Sequence, residues 1–209
     1  AYDLDFKGVS HKLISKREEI AEFRGSKYVY SKMGNCFRQI REILTQGKQV
    51  LFTGCPCQVA GLKNYLGRDY DGLITVDIMC AGIPSEKVFR AYVEEVSDGR
   101  QITEIRFRPK EYGWEYSGIH FQFSDGSEYM IHSVRDPYLV GFMKFLYKSH
   151  ACESCQYAPV PRQGDITIGD FWHIAKFAPE LDTSKGISAC MLNSDKGEKL
   201  LRRVEDKLD

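Results

Sequence analysis

Short apolar runs alternate with amphipathic segments through the first half of this chain. The runs Val50-Leu51-Phe52 and Leu73–Val76 have the length and apolar content of buried strands. The predicted elements up to Gly99 begin with a helix over 15–24, opened by a capping box that Glu18 closes, and a short β-prone run over 28–30. They continue with a helix between Gly34-Asn35 and Gly47, a strand over 49–53, a helix over 56–66, a strand over 73–79 and a helix from Ser85. This alternation predicts parallel strands joined by helices.

The pattern changes after Gly99. From 102 to 133 apolar and polar residues alternate, with a turn at Asp125-Gly126, which predicts an antiparallel hairpin inserted at about 101–133. A helix from Asp136-Pro137, strands over 165–168 and 187–192 and a closing helix over 194–208 complete the prediction. The expected fold is mixed α/β, a parallel-sheet core with flanking helices and the inserted hairpin, in a single domain over residues 1–209.

Composition and charge exclude several classes of function. Lys and Arg together number 29 and so do Asp and Glu, so no net charge points to nucleic acid or to an anionic membrane. No apolar run approaches the roughly 18 residues of a spanning helix. The acidic start Ala1–Asp5 lacks the apolar core of a signal peptide. The start without Met predicts a fragment of a longer chain.

Seven cysteines, an odd count without regular spacing, favour reduced thiols in a cytoplasmic protein over secreted disulfides. Cys57 follows the first parallel strand, Cys80 ends the second, and Cys152 and Cys155 form a C-x2-C pair in a loop. If the two strands are neighbours, the first two thiols lie at one edge of the sheet. Four thiolates can hold a [4Fe–4S] cluster or a zinc ion.

Zinc is the rival metal, but structural zinc sites pair two short knuckles, whereas Cys57 and Cys80 stand 23 positions apart. A disulfide between Cys152 and Cys155 is a third option. Cys55 is either a substitute ligand or a small residue in a tight turn, and we leave it out of the ligand set. The two remaining cysteines, Cys36 and Cys190, are interpreted as ordinary buried residues.

Two other segments have candidate chemistry. Residues 164–172 form a strand bracketed by Gly-Asp pairs, in which Gly169 would allow close backbone approach and Asp170 would orient a cofactor or a loop. Hydrogen bonding of these aspartates to turn backbone is the equal alternative. Lys27 lies in a small-residue turn that can hold an anion or the pyrimidine edge of a flavin, although a solvated lysine is the simpler interpretation.

The motifs occur together in one known family. The segments are 24–29 (RGSKYV), 51–62 (LFTGCPCQVAGL), 77–85 (DIMCAGIPS), the C-x2-C pair and 164–172 (GDITIGDFW). Over nearly all of residues 10–200 the chain resembles the C-terminal part of the coenzyme F420 hydrogenase/dehydrogenase beta-subunit family. The family usually has Thr where Cys55 stands.

The resemblance implies an iron–sulfur flavoprotein oxidoreductase. It implies a [4Fe–4S] cluster on Cys57, Cys80, Cys152 and Cys155, and FAD or FMN near Lys27, Thr53, Gly54 and Asp170. Electrons would pass from the flavin to coenzyme F420 or another two-electron acceptor. The implied partner is an electron-donor or acceptor protein, either a ferredoxin or a hydrogenase/dehydrogenase subunit. The alternatives are a zinc-stabilised binding domain in a surface-polysaccharide pathway and a degenerate, non-catalytic fragment.

Overall fold

The computed structural model describes residues 1–114 and 116–208, and the chain in it divides into two compact units. The first unit combines Ala1–Cys36 with Gly82–Ser154, and the second combines Phe37–Ala81 with the segment from Cys155 to the C-terminus. The expectation of one domain over 1–209 stays a prediction. The described helices include none long and apolar enough to cross a membrane.

The regular elements follow the predicted order, and the mixed α/β class is confirmed. The strands are β1 Val9–Ser10, β2 Ser31–Lys32, β3 Val50–Gly54, β4 Leu73–Ile78, β5 Ile102–Phe107, β6 Gly118–Phe123, β7 Glu128–His132, β8 Ile166–Asp170 and β9 Ser188–Leu192. The α-helices are α1 Cys36–Thr45, α2 Pro56–Leu66, α3 Glu86–Ser97, α4 Pro137–Met143 and α5 Asp195–Arg202.

The second unit is built on a four-stranded sheet in the order β3-β4-β8-β9. The strands β3, β4 and β8 are parallel, and β9 is antiparallel to β8. Helix α2 has the predicted bounds because Pro56 suits a first turn and Gly67 adopts the left-handed conformation that ends it. Its side chains Val59 and Leu62 are fully buried, so α2 covers part of the core.

The first unit contains the predicted hairpin, extended to a three-stranded antiparallel sheet, β5-β6-β7. Alternate residues of these strands and one face of α3 form its core. Phe89 and Phe121 are fully buried in that cluster. Asp136 caps α4 by accepting a hydrogen bond from the Leu139 backbone N–H at 2.7 Å, as the Asp-Pro pair predicts.

Three local predictions differ from the structure. The helix over 15–24 is a 3-10 helix, Arg17–Phe23, and Glu19 rather than Glu18 closes its capping box. The β-prone run at 28–30 only precedes β2, because the Val29 N–H bonds back to the Lys27 carbonyl in a turn. The closing helix ends at Arg202, after which the chain tightens into a 3-10 turn.

Candidate metal centre

Cys57 and Cys80 follow neighbouring parallel strands, as the sequence predicts. Strands β3 and β4 pair in register, with Gly54 opposite Asp77 near their carboxyl ends. Cys57 lies in the first turn of α2 and Cys80 lies two residues beyond the end of β4. Both thiols are half-buried. The carboxyl edge of parallel strands is where open α/β sheets place their sites, so this edge is the candidate site of the second unit.

The turn before α2 gives Cys55 a structural role. Cys55 is the N-cap residue, and its backbone N–H donates to Gln58 Oε1 at 2.8 Å within a capping box. Threonine is a favoured N-cap residue, so the family's usual residue would serve the same purpose. The capping role agrees with leaving Cys55 out of the ligand set.

Cys155 begins the loop that leads into β8, also in the second unit. It is half-buried, and its carbonyl accepts a hydrogen bond from the Ala158 N–H at 3.3 Å. The loop ends against Asp77 of β4, whose Oδ2 accepts from the backbone N–H groups of Gln163 at 3.1 Å and Gly164 at 2.9 Å. Gly164 is required here because a Cβ would lie 2.7 Å from the Asp77 nitrogen.

Cys152 belongs to the first unit. It ends the 3-10 helix His150–Cys152, and its Sγ accepts a hydrogen bond from the Ile83 N–H at 3.4 Å. A backbone N–H directed at sulfur is a common feature of ligating thiolates, because it stabilises the negative charge on sulfur. The contact joins the end of this 3-10 helix to Ile83 within the first unit.

No disulfide is present among the seven cysteines, all of which lie in the described part of the chain. The predicted alternative of a Cys152–Cys155 disulfide is therefore wrong. Within residues 1–114 and 116–208, no group of three or more His, Cys, Asp or Glu side chains is arranged to hold a metal ion.

Cys36 is buried as predicted, and burial raises the pKa of its thiol. Cys190 lies in β9 but is exposed, which corrects the expectation of a buried residue.

The four residues predicted near a flavin are divided between the units. In the first unit, Lys27 Nζ donates to the carbonyls of Arg24 at 2.9 Å and Gly25 at 3.3 Å. Lys27 is half-buried, and this partial burial lowers the pKa of its ammonium group. The second unit holds the other three, Thr53 and Gly54 at the end of β3 and Asp170 at the end of β8.

Asp165, in the first Gly-Asp pair, is held by buried hydrogen bonds rather than by turn backbone. Asp165 Oδ2 accepts from the Thr75 N–H and hydroxyl, each at 2.7 Å, and its Oδ1 accepts from the Ser194 hydroxyl at 2.6 Å. A Cβ on Gly169 would lie 2.8 Å from Cγ of the flexible Met79 side chain, and the close backbone approach expected at Gly169 stays a prediction. These contacts lock β8 beside β4, the strand that leads to Cys80.

Asp165 gives the second unit an acid-sensitive stability. Burial by itself raises the pKa of this carboxyl, but the hydrogen bonds from Ser194 and Thr75 outweigh burial and hold the pKa below its usual value. The depressed pKa stabilises the fold above the unfolded pKa of about 3.9, and this stability is lost as the pH falls through the folded-state pKa. We expect denaturation of Asp165→Asn to depend less on pH between about pH 5 and pH 3 than denaturation of the wild type. Equal slopes in the two proteins would contradict the assignment.

Two residues that the sequence did not single out are central to this unit, Asp77 and Arg162. Asp77 is fully buried and also accepts from the Thr167 hydroxyl at 2.5 Å. Arg162 Nη2 lies 3.4 Å from Asp77 Oδ1, and its side chain is only 7% exposed. An aspartate at an inward-facing position of an apolar strand was the available signal, because a buried carboxylate requires partners.

Comparison with known proteins identifies the family of this chain. The model of the family formed by the C terminus of the coenzyme F420 hydrogenase/dehydrogenase beta subunit matches residues 47–208. No curated protein matches the chain. A chain in the xenon-derivatised F420-reducing [NiFe] hydrogenase complex from Methanosarcina barkeri has a similar structure, with a TM-score of 0.60 and 16% identity. The match covers 95% of this chain and 62% of that chain, and at this identity it establishes the fold. This chain belongs to the coenzyme F420 hydrogenase/dehydrogenase beta-subunit family, in its C-terminal part.

Proposed function

We propose that this chain is the C-terminal part of an iron–sulfur flavoprotein oxidoreductase, and that Cys57, Cys80, Cys152 and Cys155 hold one [4Fe–4S] cluster. Such a cluster exchanges single electrons, and a flavin links them to two-electron chemistry of the kind coenzyme F420 performs. The proposal is supported above all by the placement of Cys57 and Cys80 after paired parallel strands. The family match over residues 47–208 supports it independently.

The chemistry of the donor set fits the cluster. All four residues are thiols outside disulfides, and all are half-buried, so each is accessible to an incoming iron. Cys152 already accepts a backbone hydrogen bond, and Cys155 is held by a loop anchored on the sheet. Harder oxygen ligands are not part of the set, which favours iron–sulfur chemistry over magnesium or calcium. Free thiols also favour the reducing cytoplasm as the place of function.

The flavin, FAD or FMN, is assigned to Lys27, Thr53, Gly54 and Asp170. A half-buried lysine suits the electron-rich pyrimidine edge of a flavin, because its charge stabilises the reduced, anionic ring. The acceptor is a deazaflavin such as coenzyme F420 or another two-electron carrier. The partner is a ferredoxin or a hydrogenase/dehydrogenase subunit, since the M. barkeri chain of similar fold is part of a hydrogenase complex.

Metal and sulfide analysis of the anaerobically purified and reconstituted chain tests the proposal. We expect about four irons and four sulfides per chain, with absorbance near 400 nm. Replacing Cys57, Cys80, Cys152 or Cys155 singly by Ser should remove most of both. Cys55→Ser and Cys190→Ser are matched controls that should keep the full content. Flavin released by heating is identified by chromatography, which separates FAD from FMN.

Two results would contradict the cluster. The first is stoichiometric zinc without sulfide, which would favour a zinc-stabilised binding domain. The second is an unchanged iron and sulfide content in Cys57→Ser or in Cys80→Ser.

A further inference from the structure

The side chain of Arg162 joins the loop after Cys155 to the end of β4. Its Nη2 donates to the carbonyl of Ile78 at 3.0 Å, and its Nη1 donates to the carbonyl of Ala158 at 2.5 Å. Ile78 is the last residue of β4 and stands two positions before Cys80. Ala158 in turn donates its N–H to the carbonyl of Cys155. One guanidinium therefore connects the strand that leads to Cys80 with the turn that begins at Cys155.

Asp77 holds the end of the same loop that leads into β8. Its carboxylate accepts from two consecutive backbone N–H groups, of Gln163 and Gly164, and approaches the Arg162 guanidinium at 3.4 Å. The planar fork of an arginine can bond a carboxylate and two carbonyls at once, which an ammonium group cannot do. Asp77 and Ile78 of β4 thus hold the end of the loop that enters β8, and Arg162 connects that end to the turn at Cys155.

The guanidinium is buried at some cost. Its side chain is 7% exposed, and Nε has no hydrogen-bond partner among the described residues. A buried donor without a partner costs about 1–3 kcal/mol. An apolar side chain would fill the space without this cost, so retention of a charge here indicates a role beyond packing. Charges and hydrogen-bond donors near a cluster change its reduction potential.

We propose that Arg162 is a positioning residue that fixes the spacing between the loops bearing Cys80 and Cys155, and thereby the way these two thiolates ligate the cluster. This inference rests on the proposed function. The positive charge of Arg162 also favours the reduced cluster, which carries one more negative charge. Removing that charge should therefore lower the midpoint potential.

The test compares Arg162→Gln with Lys63→Gln in the full chain. Lys63 of α2 donates from Nζ to the Gln163 carbonyl at 2.6 Å. This control therefore removes a cation that contacts the same loop, without touching the end of β4. In the cluster-free protein, hydrogen exchange in 155–163 and 78–81 should be about 10-fold faster in Arg162→Gln and unchanged in the control. After reconstitution, Arg162→Gln should hold less iron and show a lower midpoint potential and altered g values.

The possible failures are distinguishable. A wild-type chain that takes up no iron and sulfide contradicts the proposed function, whereas the exchange measurement does not depend on the cluster. Unchanged exchange at both segments in Arg162→Gln would overturn the inference, and so would an unchanged potential and spectrum. If Arg162→Gln does not fold, Arg162→Lys is measured instead: exchange in the two segments should be faster because an ammonium group cannot bond both carbonyls and the carboxylate, while the midpoint potential should stay near the wild-type value because the charge is kept. Unchanged exchange in Arg162→Lys would then overturn the inference.

Discussion

Replacing Asp77 by alanine is expected to destabilise the second unit by about 3–5 kcal/mol, because the change breaks a buried, charge-containing network. The carboxylate is fully buried and accepts hydrogen bonds from the Gln163 and Gly164 backbone and from the Thr167 hydroxyl. Without it these donors lose their acceptor, and the Arg162 guanidinium loses its nearby carboxylate. The effect should appear as faster hydrogen exchange across β4 and β8, and as a lower denaturation midpoint.

Asp71→Ala is the matched control, because Asp71 is an exposed aspartate just before β4. A change at such a surface position is expected to stay within about 0.5 kcal/mol. If Asp77→Ala destabilised the protein no more than Asp71→Ala does, the network would not hold the loop. Asp77→Asn keeps the shape of the side chain and one of its two acceptor oxygens, so we expect an intermediate loss.

Local signals in the sequence were sufficient for the elements around the candidate centre. Pro56 and Gly67 mark the two ends of α2, and Ser85 marks the start of α3. Apolar runs bounded by glycine identified β3 and β4 without further information. Each of these signals lies within a few residues of the feature that it predicts, so pattern reasoning finds it. The same patterns placed Cys57 and Cys80 at strand ends, and the pairing of β3 with β4 confirmed their common edge.

The network behind those strands was not predictable in the same way. Asp77 and Arg162 are 85 positions apart, and their contact depends on the order of strands in the sheet. The sequence contains no signal that β8 lies beside β4, so it does not indicate that Asp77 and Arg162 are partners. At Val29 a local turn, closed by a hydrogen bond to the Lys27 carbonyl, replaces the extended conformation that its β-prone run predicts. Strand pairing between distant segments and competition from local turns are the two physical effects that the hydrophobic pattern does not encode.

The flavin assignments show the same limit. The small residues around Lys27 mark it in the sequence, but its partial burial and its bonds to two carbonyls are seen only in the structure. Lys27 belongs to the first unit, and Thr53, Gly54 and Asp170 belong to the second. The family resemblance implies that all four residues lie near one flavin, and this assignment stays a proposal.

Replacing Phe89 by alanine is expected to destabilise the first unit by about 3–5 kcal/mol, the usual range for a fully buried phenylalanine. The Phe89 ring is completely buried and lies 5.4 Å from the Tyr138 ring and 6.2 Å from the Phe107 ring, measured between centroids. Removing it leaves a cavity between α3 and the antiparallel sheet, which these closely packed rings cannot fully collapse into. Hydrogen exchange in β5 and β6 reports the loss directly.

Phe145→Ala applies the same chemical change at a side chain that is 49% exposed in the same unit. We expect it to cost less than about 1 kcal/mol, since about half of this residue's surface already contacts water. The two variants therefore separate burial from residue type. Similar losses of stability in both variants would mean that Phe89 is packed no better than the exposed Phe145. The aromatic cluster around Phe89 would then not be the core of the first unit.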